Sequence, residues 1–188
     1  VYQAGAGSGD LFGVVWGQVV LWHSEGSTDA QFVHMFRVGQ WFGYGPILAG
    51  ESRRHQCVTR SECVLAVLPE SRLREFLAQD PEHWHALASL IDIQGQISEL
   101  AGLDLLRRSP AKRLAATLLR FAGCRLRNSP DGPPWPIAMS QLELAEAANM
   151  SRNAASRLLV EMEENGLVKL HYRHLAVLNP NGLRDVLD

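Results

Sequence analysis

The spacing of apolar residues changes near residue 70 of this 188-residue chain. Before that point, short runs rich in Val, Phe and Trp alternate with Gly-rich breaks, a pattern typical of antiparallel strands joined by turns. After it, apolar residues recur every three or four positions, which is the period of a helix. We therefore predict an α+β fold that begins with an antiparallel, jelly-roll-like β-roll and continues in helices. The strand-like runs are Leu11–Trp22, Gln31–Gly39 and Cys57–Pro69.

The helical part is predicted to begin with a short helix over Pro69–Pro81 and a long helix from about His83 to Arg108. One face of the long helix repeats in a heptad-like seam, which requires a partner helix along its length. A second apolar face, which includes Ile93 and Ile97, can cover the roll. We therefore predict a parallel homodimer held by this helix. The seam consists of Leu87, Ile91, Gln94, Ser98, Ala101 and Leu105.

Ser109 followed by Pro110 is typical of a helix N-cap with proline at the first helical position. This helix is predicted to run to about Arg125, and the Pro- and Gly-rich stretch Arg127–Pro136 separates it from a third region. The chain therefore divides into a sensory roll, a dimerisation helix and a C-terminal domain. The predicted ranges are 1–80, 81–108 and 109–188.

The third region contains two short amphipathic helices with a tight break between them. Ser140 and Glu143 have the spacing of a capping box, and Met139 and Leu144 have that of a hydrophobic staple. Ser151 can cap the second helix after the break. Two short helices joined in this way predict a helix-turn-helix.

The outward face of the second helix has the chemistry of DNA recognition. A helix N-terminus favours phosphate, Arg pairs with guanine and Asn with adenine. The following stretch, Leu167–Asn179, predicts a two-stranded wing around a basic turn, and a wing positions the protein on the sugar-phosphate backbone. The predicted DNA-binding residues are Ser140, Ser151, Arg152, Asn153, Ser156, Arg157 and Arg173.

The sequence resembles the Crp/Fnr family of bacterial transcription regulators over nearly its whole length. The most specific stretch is "MSRNAASRLLVEMEENGLV", and "VLAVLPESRLREFLAQDP" resembles the end of the family's roll and its exit helix. The resemblance implies a homodimer on palindromic double-stranded DNA, with RNA polymerase as a possible partner. The odd number of cysteines without a CxxC pair argues against a disulfide framework and independently predicts a reduced, cytoplasmic protein. Many members carry Glu where this chain has Asn153, so the common half-site is not assumed here.

The resemblance also locates an effector site in the roll. Nucleotide-binding members have an F-G-E segment, whose Glu holds the ribose, and an Arg-Ser/Thr pair about ten residues on, whose Arg holds the phosphate. This chain has Phe42 and Gly43 but Tyr44 in place of the Glu. Counting back from "VLP" puts Arg53 at the phosphate position and Arg54 at the hydroxyl position, to within one residue. A phosphate contact through Arg53 stays open, but the ribose acceptor is absent. We therefore expect that an unknown small-molecule effector, if the protein has one, is not a cyclic nucleotide.

Other classes of site have little support in the sequence. Three scattered cysteines do not supply an iron–sulfur cluster of the Fnr type, and Cys57 and Cys63 are predicted to be buried thiols. Histidines in the roll leave haem open, but a lone His is more often structural, and we predict no metal site. No G-x-S-x-G, P-loop or HExxH motif indicates an enzyme. No apolar run is long enough to cross a membrane, and the start at Val1 leaves open a missing N-terminal segment.

Charge is distributed unevenly along the chain. Residues 1–108 carry 8 Lys and Arg against 12 Asp and Glu, whereas residues 109–188 carry 10 against 8. The C-terminal region is therefore the part suited to a polyanion.

The alternative hypothesis is a small-molecule sensor or regulatory subunit that acts through protein–protein contacts, with the helix-turn-helix as its docking surface.

Overall fold

Two three-stranded antiparallel sheets form the N-terminal unit, as seen in a computed structural model that describes residues 1–7, 9–24, 30–126 and 136–188. Their strand orders are β4-β1-β6 and β3-β2-β5. The α+β fold with an N-terminal roll is thereby confirmed. The strands are β1 Leu11–Trp16, β2 Val19–His23, β3 Gln31–Phe36, β4 Trp41–Phe42, β5 Gln56–Thr59 and β6 Val64–Leu68.

The predicted run Leu11–Trp22 is not one strand, because the chain turns at Gly17 from one sheet into the other. Gly17 has φ +86°, and a Cβ there would lie 2.3 Å from the carbonyl oxygen of Glu62. Only glycine fits such a conformation and such a close approach. The run Cys57–Pro69 is divided in the same way, into β5 and β6.

Aromatic and aliphatic side chains fill the roll. Phe36 and Phe42 stack with their ring centroids 4.6 Å apart, and Cys57 lies in the same cluster. Cys57 is 1% exposed, so the prediction of a buried thiol is confirmed there, and burial raises its pKa to about 11. Cys63 is only half-buried, so that part of the prediction was wrong.

Two helices follow the last strand of the roll, and a shorter helix lies between β4 and β5 in the chain. One of the Gly-rich breaks between the predicted strands, "GYGP", leads into the short helix α1, Gly45–Ala49. The predicted helix after the roll is α2, Glu70–Gln79, and the long helix is α3, Glu82–Leu105. The chain forms two compact units, Val1–Ile93 and Gln94–Asp188, and the boundary falls within α3.

The N-terminal end of the predicted heptad seam packs against other residues of the same chain. Leu87 is only 4% exposed and packs with Leu73 and Leu77 of α2, and Ile91 lies against the same cluster. Trp84, which stands one heptad before Ile91, is exposed instead. Gln94 and Ala101 are half-buried and Ser98 and Leu105 are exposed.

The C-terminal unit is a set of short helices around a two-stranded sheet. The Ser109 cap is confirmed, since its Oγ accepts from Lys112 N, but this helix ends at Phe121, before Gly123 with φ +72°. The predicted irregular stretch 127–136 lies, except for Pro136, outside the described residues. The elements are α4 Pro110–Phe121, α5 Gln141–Ala147, α6 Arg152–Glu164, β7 Val168–His171, β8 His174–Val177 and α7 Pro180–Asp185.

A buried carboxylate holds the end of α3 against the chain after α4. Asp104 is 1% exposed, and it accepts a bidentate pair from Arg125, with Nη2 at 2.8 Å and Nε at 3.0 Å. Arg107 Nε donates to the same carboxylate. Arg120 is also buried, which lowers its pKa, while the negative charge of Asp104 opposes that shift.

Within the described ranges, no helix is long and apolar enough to cross a membrane.

Candidate nucleic-acid interface

Local capping contacts define the two helices of the helix-turn-helix. The capping box is complete, because Ser140 Oγ accepts from Glu143 N while Glu143 Oε2 accepts from Ser140 N at 2.8 Å. Met139 and Leu144 are both buried, as the predicted staple requires. Asn149 turns the chain with φ +48°. Ser151 Oγ then accepts from Ala154 N and starts α6.

One side of α6 is buried in the unit. Ala155, Leu159 and Met162 have almost no exposed surface, and they recur at the spacing of one helix face. Ala145 and Ala148 of α5 are also buried, and such small side chains allow the two helices to cross closely. The opposite side of α6 is therefore held outward by packing that the sequence pattern predicts.

The outward side carries the predicted recognition residues. Arg152, Asn153 and Arg157 are exposed and Ser156 is half-buried. None of the four side chains makes a hydrogen bond or ion pair with another described residue. An exposed guanidinium without an internal partner keeps all five of its donors for an external acceptor. The helix therefore presents two cations, an amide and a hydroxyl in its first two turns.

The two cap serines are not equivalent. The Ser140 hydroxyl both accepts from Glu143 N and donates to Glu143 Oε2, so its proton is used within the capping box. Ser151 Oγ accepts from Ala154 N and its proton remains for an external acceptor. Ser151 lies at the N-terminus of α6, where the helix dipole favours an anion.

The predicted wing is formed by β7 and β8. Its turn places Arg173 at φ +58°, with the guanidinium 5.4 Å from the ring centroid of Tyr172, which is 84% exposed. His171 and His174 flank this turn as a cross-strand pair, and their rings stack with centroids 4.6 Å apart. Glu163, at the end of α6, accepts from Leu170 N at 2.8 Å, which ties the wing to the recognition helix.

Arg113 on α4 is a residue that sequence reasoning missed. Its guanidinium donates to the carbonyls of Ala148 and Asn149, at 3.0 and 3.2 Å. It also donates to those of Arg107 and Arg108, at 2.8 and 3.2 Å. Nothing local in the sequence distinguishes Arg113 from a solvated arginine, since two of its acceptors are about 35 residues away.

The predicted effector residues surround a cavity of about 360 Å³ in the roll. Gly43 has φ +98°, and a Cβ there would lie 2.8 Å from the carbonyl oxygen of Asp10 and 2.9 Å from Arg53 Nη1. Tyr44 is the residue before α1. Burial raises the pKa of Tyr44, so at neutral pH it is an uncharged phenol. Aromatic walls come from Phe36, Phe42 and Tyr2.

Both arginines of this cavity have partners within the chain. Arg53 is 4% exposed, and its Nη1 and Nη2 donate to the carbonyls of Gly43 and Asp10, at 3.2 and 2.8 Å. Its guanidinium also lies 3.9 Å from the ring centroid of Tyr2. Arg54 is exposed and pairs with Glu51 at 2.7 Å. Among the described residues, no three His, Cys, Asp or Glu side chains come together as a metal site requires.

Two family models match the chain. The Crp-like helix-turn-helix domain matches residues 112–186, and the cyclic nucleotide-binding domain matches residues 1–80. Similar curated proteins include the cAMP-activated global transcriptional regulator CRP of Haemophilus influenzae, 24% identical over 93% of this chain and 78% of the relative. The global nitrogen regulator of Synechococcus elongatus is 27% identical over 90% of this chain and 78% of the relative.

Solved structures with the same fold include a CRP-family transcriptional regulator from Thermus thermophilus. It has a TM-score of 0.72 and 22% identity, over 100% of this chain and 92% of the other. FixK2 from Bradyrhizobium japonicum has a TM-score of 0.76 and 19% identity, over 98% of this chain and 89% of the other. At these identities the likeness concerns the fold.

Proposed function

Because the chain belongs to the Crp/Fnr family of bacterial transcription regulators, we propose that it binds a palindromic operator as a homodimer in the cytoplasm. It is a DNA-binding transcription regulator and not an enzyme. Two α6 helices, one from each protomer, would enter successive major grooves about one helical turn apart. A two-fold symmetric protein reads a two-fold symmetric site, which is why the operator is proposed to be palindromic.

The outward side of α6 is the observation that carries this proposal. Its four polar side chains have no partner among the described residues, whereas the buried side of the same helix is closely packed. Arg157 is proposed to pair with a guanine edge and Asn153 with an adenine edge. Arg152, Ser151 and Arg173 are proposed to contact phosphates, and Ser140 supports the interface by starting α5.

The dimer is proposed to form along α3. The seam residues Gln94, Ser98, Ala101 and Leu105 lie on one face, and Trp84, one heptad before Ile91, continues the same spacing toward the N-terminus. Leu87 and Ile91 pack in the roll core. We therefore propose that they hold α3 in place and do not form the contact between protomers. Exposed apolar side chains such as Trp84 favour a helical partner, since burial of their surface stabilises association.

The effector is proposed not to be a cyclic nucleotide. The ribose acceptor is replaced by Tyr44, which is neutral and cannot serve as a carboxylate. Fewer donors also remain at the phosphate position, because two of the five N–H groups of Arg53 already bond to carbonyls and its guanidinium lies against the Tyr2 ring. The cavity is lined mainly by aromatic and aliphatic side chains, which favours a ligand without a cyclic phosphate.

Cyclic AMP and cyclic GMP are therefore expected to leave the protein unchanged. A ligand present at 100 times its Kd stabilises the folded state by about 2.7 kcal/mol, which raises Tm measurably. We expect no rise in Tm and no change in DNA affinity at millimolar nucleotide. Tyr44→Glu restores the family's acceptor and is expected to stay unresponsive, because Arg53 is only 4% exposed and its guanidinium is already held by two carbonyls and the Tyr2 ring. A rise in Tm of the wild-type protein would contradict this assignment.

Selection of bound duplexes from a random DNA library tests the proposed function. We expect an enriched palindrome with half-sites about one helical turn apart, with adenine and guanine in each half-site. Affinity for that duplex should fall steeply with salt, because each arginine–phosphate contact releases a counterion. Absence of enrichment, repeated with cell extract as a source of effector, together with a flat salt response would favour the docking-surface alternative.

A further inference from the structure

We propose that Arg113 is a positioning residue for DNA recognition: its guanidinium fixes the start of α6 relative to the chain that follows α3. Sequence-specific binding, as proposed above, is the premise of this inference. Arg113 itself belongs to α4 and makes no part of the outward face of α6. Its role would be to set the orientation of the residues that read the bases.

The four acceptors of Arg113 come in two pairs, and each pair follows the end of a helix. Ala148 and Asn149 follow α5 and lead into the cap of α6. Arg107 and Arg108 follow α3. Ala148 is the C-cap of α5, where a carbonyl has no partner within the helix and lies at the negative end of the helix dipole. Arg107 and Arg108 belong instead to the segment between α3 and α4. One cation therefore bonds to carbonyls of two separate segments.

Only an arginine has the geometry for this arrangement. Nε donates to Ala148, Nη1 to Arg107 and Arg108, and Nη2 to Asn149. These bonds use four of the five donors of the guanidinium, which lie in one rigid plane. A lysine has three donors on a single atom at the end of a flexible chain. It can keep the charge, but it cannot hold both segments in one fixed relation.

The contact reaches the recognition helix through a very short path. Asn149 has a left-handed conformation, and Ser151, the N-cap of α6, stands two residues later. A carbonyl that loses its donor can turn toward water, which frees the turn to change its torsion angles. The start of α6 would then be held only by its packing, the Ser151 cap and the bond from Met150 N to the Ala145 carbonyl. The same contact makes the orientation of α6 depend on the position of the chain after α3.

Arg113→Lys in the full chain is the test, with Lys112→Met as the matched control. Lys112 is the neighbouring residue on α4, and its Nζ donates to the carbonyl of Leu187 at 3.0 Å, away from the turn. Binding is measured to the selected duplex and to a scrambled duplex. We expect Arg113→Lys to lower specific affinity by about tenfold, as the loss of one base contact does, with scrambled-duplex affinity unchanged. Lys112→Met should retain the wild-type ratio of affinity for the selected duplex to affinity for the scrambled duplex.

Amide hydrogen exchange in the free protein is the second measurement. The amides of Met150 and Ala154 bond within the turn and cap, and we expect both to exchange faster by about tenfold in Arg113→Lys. The amides of Leu159 and Met162, in the buried part of α6, should be unchanged, which excludes general loss of structure.

The outcomes separate this inference from its premise. If the wild-type protein discriminates between the duplexes and Arg113→Lys discriminates equally well, Arg113 does not position the helix. Equal loss on both duplexes would likewise overturn the inference, since it indicates a phosphate contact or unfolding. If the wild-type protein does not discriminate, the proposed function fails, and unchanged exchange at Met150 and Ala154 would then overturn the positioning role by itself.

Discussion

Replacing Arg157 with alanine is expected to weaken binding to the selected duplex by about 1–3 kcal/mol and to relax the base preference at one position of each half-site. Arg157 is exposed on α6, two helical turns before its end, and no described residue holds its guanidinium. Its bidentate contact to guanine would be lost while the fold is kept. In Kd this corresponds to about 5- to 150-fold. The measurement is a set of binding isotherms on duplexes with each base varied in turn.

Arg173→Asn is the control for Arg157→Ala. It also removes one arginine, and Asn tolerates the left-handed conformation at that position. Because the wing is proposed to contact phosphate, affinity should fall equally for all duplexes and the salt dependence should become shallower by about one counterion. If Arg157→Ala weakened all duplexes equally, as Arg173→Asn is expected to do, the assignment of Arg157 to a base edge would be wrong.

Replacing Asp104 with asparagine is expected to destabilise the C-terminal unit by about 3–5 kcal/mol. The carboxylate is buried and compensates the charges of Arg125, Arg107 and Arg120, of which Arg120 is itself buried. Asparagine is neutral and cannot accept the bidentate pair from Arg125. Three cations would then remain around a group that no longer balances them. Urea unfolding followed by far-UV circular dichroism measures the change in the free energy of unfolding.

Lys169→Met is the matched control for Asp104→Asn. It breaks the Lys169–Glu163 ion pair of 3.4 Å, in which the lysine side chain is 57% exposed. Exposed pairs contribute about 0–1 kcal/mol, so little change is expected. If the two variants lost stability by similar amounts, the Asp104 cluster would not hold α3 against the chain after α4.

The helix-turn-helix was the part most accessible from the sequence. Its boundaries depend on contacts over three or four residues, such as the Ser140–Glu143 capping box and the Ser151 cap. Such contacts can be predicted from the spacing of residues along the chain. The buried and exposed sides of α6 follow from the same local period. The change from strands to helices near residue 70 is likewise a matter of local pattern, and α2 and α3 were predicted close to their observed bounds.

The effector cavity shows where local pattern was insufficient. The sequence indicated that Tyr44 replaces an acceptor, but it left Arg53 available for a phosphate. In the folded roll, Arg53 is bound to a carbonyl 43 residues away and to the ring of Tyr2. Such a contact depends on how the strands pack in the folded roll, so it cannot be predicted from the spacing of residues along the chain.

By itself, then, the sequence determined the order of roll, long helix and winged helix-turn-helix, together with the side chains that α6 presents outward. Periodicity and capping act within one or two helical turns, so they can be recognised in an unfolded string of residues. The tertiary structure alone decided the turn at Gly17, the packing of Leu87 in its own roll, and the contacts of Asp104 and Arg113. Each of these requires a close approach of segments that are distant in sequence, and that approach exists only once the chain has folded.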